Sequence, residues 1–157
     1  MQTLLLLVGK TTDERIDSLM HDYIKKINRY QPFEIDILPE LKKKGKITPQ
    51  VQKEKEGKYI IEKFKKGDLI VLLDENGKTH SSVNFSRYIN QKRLGSQKRL
   101  VFVVGGPYGF SAEVYKHAQE KISLSCMTFS HQMVRLFFLE QLYRINTILN
   151  NEPYHHP

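Results

Sequence analysis

One cysteine, Cys126, stands among 157 residues. No internal disulfide can form, which fits a reducing compartment. No partner cysteine lies nearby, so a zinc site of the usual spacing is excluded and no metal is expected. Long apolar runs are missing too. The opening "TLLLLVG" (3 to 9) is far too short to span a bilayer. It also lacks the basic leader and small-residue cleavage site of a secretory signal. We read it as the first buried strand of a cytoplasmic protein with no membrane partner. Internal repeats, low-complexity linkers and composition breaks are absent. A single domain over residues 1–157 is therefore expected, since two cores would be cramped in this length.

Two phosphate-binding patterns are also missing. A Walker A loop needs a lysine and a hydroxyl after its glycines, and none follow "VFVVGGPYGF" (101 to 110). The dinucleotide pattern fails as well, because the glycines fall at 105, 106 and 109. Two readings of this stretch stay open. It is a tight strand-to-helix turn, or it offers bare amides and carbonyls to a flat, uncharged group such as adenine. Pro107 stiffens the turn, which favours the second.

What is present is positive charge. Lys and Arg exceed Asp and Glu to give a formal net charge of +8. A polyanionic partner, nucleic acid first, is one reading; a solubility surplus is the other. Lys42, Lys43, Lys44 and Lys46 form a basic loop. Lys65, Lys66, Lys92, Arg93, Lys98 and Arg99 add to the expected basic surface.

Strand and helix patterns alternate. "TLLLLVG", "FEIDILP" (33 to 39), "LIVLLD" (69 to 74) and "RLVFVVGG" (99 to 106) read as strands. "ENGK" reads as the turn after the third. Asp13 caps a first helix with Ile16, Leu19, Met20, Tyr23, Ile24 and Ile27 inward, and Pro32 ends it. Residues 50 to 65 read as a charged helix with Val51, Tyr59, Ile60, Ile61 and Phe64 inward. Residues 82 to 93 make another helix, and Ser111 caps one reaching Lys121. "ISLSCMTFS" (122 to 130) reads as extended, and a long helix covers about 131 to 149. The fold class expected is α/β, a mostly parallel sheet with helices on both faces. Ligands in such sheets sit at the carboxyl ends of strands. Leu73 and Asp74, Gly105 to Gly109, and the segment around Ser125 then share one rim.

The final helix is apolar around nearly its whole circumference. Either a second copy of the chain covers it or it is a deeply buried central helix. His131 and Arg135 lie one turn apart on one side. They hold an anion or order a base, or they are a helix-start residue and an ion-pair partner. Glu140 and Arg144 form an i, i+4 pair, most of which are surface support. The tail carries Tyr154, His155 and His156, rings that can stack on a base or take a proton. A disordered end is the alternative.

"LLVGK", "LLDENGK", "VFVVGGPYGFS", "SLSCMTFSHQMVRLFFLEQLYR" and "EPYHH", in this order and spacing, resemble one family over essentially the full length. It comprises the small SPOUT-superfamily enzymes that methylate N3 of a pseudouridine in large-subunit (23S) ribosomal RNA. The resemblance implies a C-terminal deep trefoil knot, S-adenosylmethionine as methyl donor bound in the knot, and a homodimer across the last helix. It implies cofactor contacts at Leu73, Gly105, Gly106, Ser125, Cys126, Met127, Thr128, Phe129 and Ser130. Tyr154 and His155 match the family's tail; His156 stands where arginine is common. Under this reading His155 takes or orients the base proton and Tyr154 holds the flipped base. His131 and Arg135 grip RNA or stabilise developing charge. The substrate would be ribosomal RNA within an assembled ribosome. A knotted transfer-RNA methyltransferase and a non-catalytic RNA- or ribosome-binding protein are the alternatives.

Overall fold

The computed structural model describes residues 1–41 and 45–156. Along the chain run β1 (Gln2–Val8), α1 (Glu14–Ile27), β2 (Phe33–Leu38), α2 (Pro49–Glu62) and β3 (Asp68–Thr79). Then come α3 (Ser82–Arg93), β4 (Arg99–Val104), α4 (Ala112–His117), β5 (Glu120–Ser123) and α5 (His131–Leu149). The strands form one sheet in the order β2-β1-β4-β3-β5, and every neighbouring pair is parallel. The expected α/β architecture is present. No described helix is long and apolar enough to cross a membrane.

The continuous apolar runs have a simple cause. Successive residues of a strand point to opposite faces, and here both faces are covered. Leu5, Leu7, Val71, Leu100 and Phe102 turn toward α1, α3 and α5. Leu4, Leu6, Ile70, Leu72, Val101 and Val103 turn toward α2 and α4. Phe102 is fully buried and meets the Phe138 ring of α5 at 4.7 Å. Truncating such a residue costs about 3–5 kcal/mol.

Helix starts follow the expected capping chemistry. Asp13, Ser111 and Ser130 accept backbone N–H groups of Arg15, Val114 and Met133 at 2.9, 3.3 and 3.3 Å. Helix α4 is shorter than expected. After His117 the backbone of Gln119 donates to the Ile70 carbonyl at 3.1 Å, and its side chain accepts from the Ile70 amide at 2.7 Å. The edge of β3 thus captures the chain and starts β5 at Glu120. "ENGK" is not a terminal turn. It forms a register shift inside β3, where both Leu73 and Lys78 align with Ile122. Asp74 holds the shift by accepting from the Asn76 amide at 2.8 Å.

Three expected inward residues lie outward: Leu19, Val51 and Tyr59 are exposed. On α2 the docking face is instead Glu56, Gly57 and Ile60. A side chain on Gly57 would begin 2.5 Å from the Ser111 hydroxyl, so its absence lets α2 approach α4. The charged surface is also thinner than expected. Arg99 binds Asp68 at 2.6 and 2.8 Å, Lys92 pairs with Glu120, and Arg93 turns inward to Asn146 at 2.7 Å. Lys42, Lys43 and Lys44 lie outside the described residues.

Candidate active site

The carboxyl ends of β3 and β4 open on a cavity of about 620 Å³. Three segments far apart in the chain wall it: Leu73 to Asn76, Val104 to Phe110, and much of Ile122 to Val134. The rim expected from strand alternation is thus a real juxtaposition. Leu73, Gly105, Gly106, Ser125, Met127, Thr128, Phe129 and Ser130 all line it, and so does His131. Cys126 is exposed and is not among the lining residues.

The glycine stretch is a tight turn at the cavity wall. Gly109 takes φ +78° and donates to the Gly106 carbonyl at 3.1 Å, which closes a tight turn. The turn also leaves backbone facing the cavity. A Cβ on Gly105 would press on the Phe110 ring at 3.2 Å, and one on Gly106 would strike the Glu56 carboxyl at 2.5 Å.

Segment 124–130 is irregular and held by its own hydroxyls. Ser123 donates to the Ser125 carbonyl at 2.7 Å, and the Ser125 hydroxyl accepts from the Met127 amide at 2.9 Å. Thr128 reaches across to Glu75 at 3.3 Å, tying this segment to the β3 shift. Beside them Tyr115 donates to Asp74. Burial, then Asp74, raises the Tyr115 phenol well above its usual range, so it remains a donor. Sequence patterns did not point to Lys53, Tyr115 or Glu56. Glu56 had one readable signal: it stands four residues before the buried Ile60, on the same helical face.

Arg135 is the main departure. It is fully buried, where a grip on RNA, stabilisation of developing charge or a surface ion pair was expected. Its guanidinium donates to the carbonyls of Val8 at 2.7 Å and Gly9 at 2.9 Å, and to the Thr11 hydroxyl at 3.1 Å. The end of β1 offers carbonyls with no further strand residues to use them, and a five-donor fork fills that need. His131, one turn earlier, stays at the cavity. Burial, with Arg135 beside it, holds its imidazole below the usual value.

Tyr154 and His155 do not line the cavity of their own chain. The tail folds back on α5. Tyr154 packs on Tyr143 at 4.8 Å, lies under the Arg144 guanidinium at 4.7 Å and donates to Glu140 at 3.2 Å. Arg144 points at His155 Nδ1 from 3.4 Å; a guanidinium only donates, so Nδ1 accepts. The Glu140–Arg144 pair is therefore the seat of the tail. On α5 itself Phe138, Leu139, Leu142 and Ile145 are buried in the core. Phe137 is not: it contacts Phe129 at 4.8 Å, and both remain exposed beside Met127, which is 73% exposed.

The chain matches a family model described as "Predicted SPOUT methyltransferase" over residues 1–155. The chain belongs to the SPOUT methyltransferases. Among its relatives are proteins named ribosomal RNA large subunit methyltransferase H. That of Bacteroides fragilis is 51% identical over 156 residues, covering 99% of both chains. Those of Flavobacterium johnsoniae and Christiangramia forsetii are 54% and 55% identical over 152 residues, with 97% of this chain covered in each case. A Legionella pneumophila protein solved in complex with bound SAM aligns with 90% of this chain and 65% of its own. Its identity is 12% and the TM-score 0.48.

Proposed function

We propose that this chain transfers the methyl group of S-adenosylmethionine to N3 of a pseudouridine in large-subunit ribosomal RNA. We propose also that it works as a homodimer, in the cytoplasm, on an assembled ribosome. The cavity walled by three distant segments carries this reading. The shared name of the relatives supports the RNA class, and the sequence blocks quoted above support the nucleotide.

The lining fits an adenosyl sulfonium. Gly105 and the irregular segment 124–130 present backbone to an adenine edge, and Leu73, Met127 and Phe129 offer apolar walls. Bound there, S-adenosylmethionine supplies an electrophilic methyl carbon. The protein's work is then alignment and exclusion of water. The nucleophilic nitrogen must lose a proton. His155 accepts it or orients the base, and Tyr154 stacks on or hydrogen-bonds the flipped ring. The proton would pass to His155 Nδ1 once Arg144 releases it, or to water where His155 only orients the ring. His131 stabilises charge developing on the ring carbonyls. Arg135 is a positioning residue, fixing α5 against β1.

The tail belongs to the other subunit's site. From His131 to Glu140 the helix rises about 14 Å, so a tail seated at Glu140 stands away from its own cavity. A second copy packed on Phe129, Phe137 and Met127 would cover that apolar patch and bring its tail across. A deep trefoil knot is consistent with the contact at Gly77. There a Cβ would lie 2.5 to 2.7 Å from the backbone of Ile122.

Mass spectrometry of ribosomal RNA from a deletion strain tests the function. One methyl group on a pseudouridine should vanish and return with the wild-type chain. Unaltered ribosomal RNA overturns the reading.

A further inference from the structure

The mechanism leaves Glu56 unused. It lies on α2, one turn past the cavity-lining Lys53, and is 4% exposed. Its Oε1 accepts from Gln52 at 2.9 Å. Its Oε2 has no hydrogen-bond partner among the described residues. That oxygen lies 2.5 Å from the point where a Gly106 side chain would start. Gly106 lines the cavity, so a residue without a side chain stands between the carboxyl group and whatever fills the site. A buried, unpaired polar atom costs about 1–3 kcal/mol, more if charged. Such groups call for an explanation outside the packing itself.

We propose that Glu56 sets the preference of the site for the cationic sulfonium donor over its neutral thioether product. The proposal rests on the S-adenosylmethionine reading of the cavity. When the S–CH₃ bond breaks, the bonding pair stays on sulfur and the positive charge disappears. The adenosine and amino-acid parts are common to donor and product. A carboxylate behind a thin, water-poor wall acts on the one feature that differs, and screening there is weak compared with water. Glu56 thereby favours capture of the donor and departure of the product. The glycine at 106 has a second reason here: any side chain would displace the carboxyl group.

Protonation is part of the device. Burial raises the Glu56 carboxyl above its usual range; Gln52 opposes this and Glu40 adds to it. A bound cation lowers it again, and a neutral product does not. The other ionisable groups around the site are Lys53 on α2, Asp74 and Glu75 on β3, Tyr108 in the glycine turn, Tyr115 on α4 and His131 on α5. A variant at Glu56 alone separates its contribution from theirs.

The test is calorimetric titration of the full chain with S-adenosylmethionine and, separately, with S-adenosylhomocysteine. Glu56→Gln keeps size and the Gln52 contact while removing the charge. Donor affinity should fall about fivefold, with product affinity unchanged. Equal losses for both ligands, or no loss for the donor, overturn the proposal. A second measurement needs only the wild type: carbon-13 NMR of the Glu56 carboxyl. Its titration midpoint should drop in the donor complex and not in the product complex; equal midpoints overturn the proposal. Failure of both ligands to bind the wild type sinks the cofactor reading itself. Binding of both with no dependence on Glu56 sinks only the role of Glu56.

Discussion

Arg135 donates to the carbonyls of Val8 and Gly9, at 2.7 and 2.9 Å, from a helix that starts at the cavity. The end of the first strand is thereby fixed to the start of the last helix. Arg135→Met should lower the unfolding free energy by about 3 kcal/mol, because it strands buried carbonyls. Chemical denaturation measures this. The RNA affinity of the folded variant should stay at the wild-type level, since the guanidinium never reaches the surface. A selective loss of RNA binding would return Arg135 to the interface.

Gly77 tests the close passage of β5. A Cβ there meets backbone atoms of Ile122, which cannot swing aside as a side chain can. Gly77→Ala should destabilise by about 3 kcal/mol or more, in the upper range of single substitutions. Thermal unfolding checks it. A variant of wild-type stability would show that the two segments are not pressed together.

His131 gives a pH signature. Its folded pKa lies below the ordinary 6.5, mainly through burial. As pH falls below that value, the unfolded chain takes up the proton first, so stability declines until the folded imidazole also protonates. The contribution is complete above the unfolded value and is lost on the acid side. Between about pH 7.5 and about pH 5 the wild type should lose more stability than His131→Gln. Identical slopes would remove His131 as the cause.

The subunit exchange of tails can be measured by mixing. His155→Ala should cut turnover about 100-fold while leaving cofactor affinity intact. Gly105→Trp should abolish cofactor binding, because even its Cβ presses on the Phe110 ring and on the Gly109 backbone. If the tail crosses, heterodimers of the two hold one complete site, built from one chain's cavity and the other's tail. Recovery of turnover on mixing supports the exchange. If every mixture stays inactive, the tail serves its own chain.

The exposed aromatic pair predicts the contact surface. Phe137→Glu should give a folded monomer in light scattering, with turnover lost and cofactor affinity retained. A dimer that survives this change places the interface elsewhere.

Much of the sheet could be read from the sequence because strands buried on both faces leave unbroken apolar runs, as in Leu4 to Val8. Caps at Asp13, Ser111 and Ser130 were equally local and equally readable. What escaped depended on distant partners. Gln119 ends α4 only because Ile70 offers its backbone, and Arg135 faces inward only because β1 ends beneath it. Glu56 and Tyr115 escaped for the same reason: a charged helix and an ordinary tyrosine give no sign of the cavity beside them. The glycines, by contrast, announced a close approach before its other side was known.

The cavity takes its last wall from residues 122 to 134, and α5 must then dock before that wall is held. During synthesis a chain that has emerged only as far as β4 owns the glycine turn but lacks the wall opposite it. Any product cut short of residue 122 therefore lacks a wall of the cavity and is inert by construction rather than partly active.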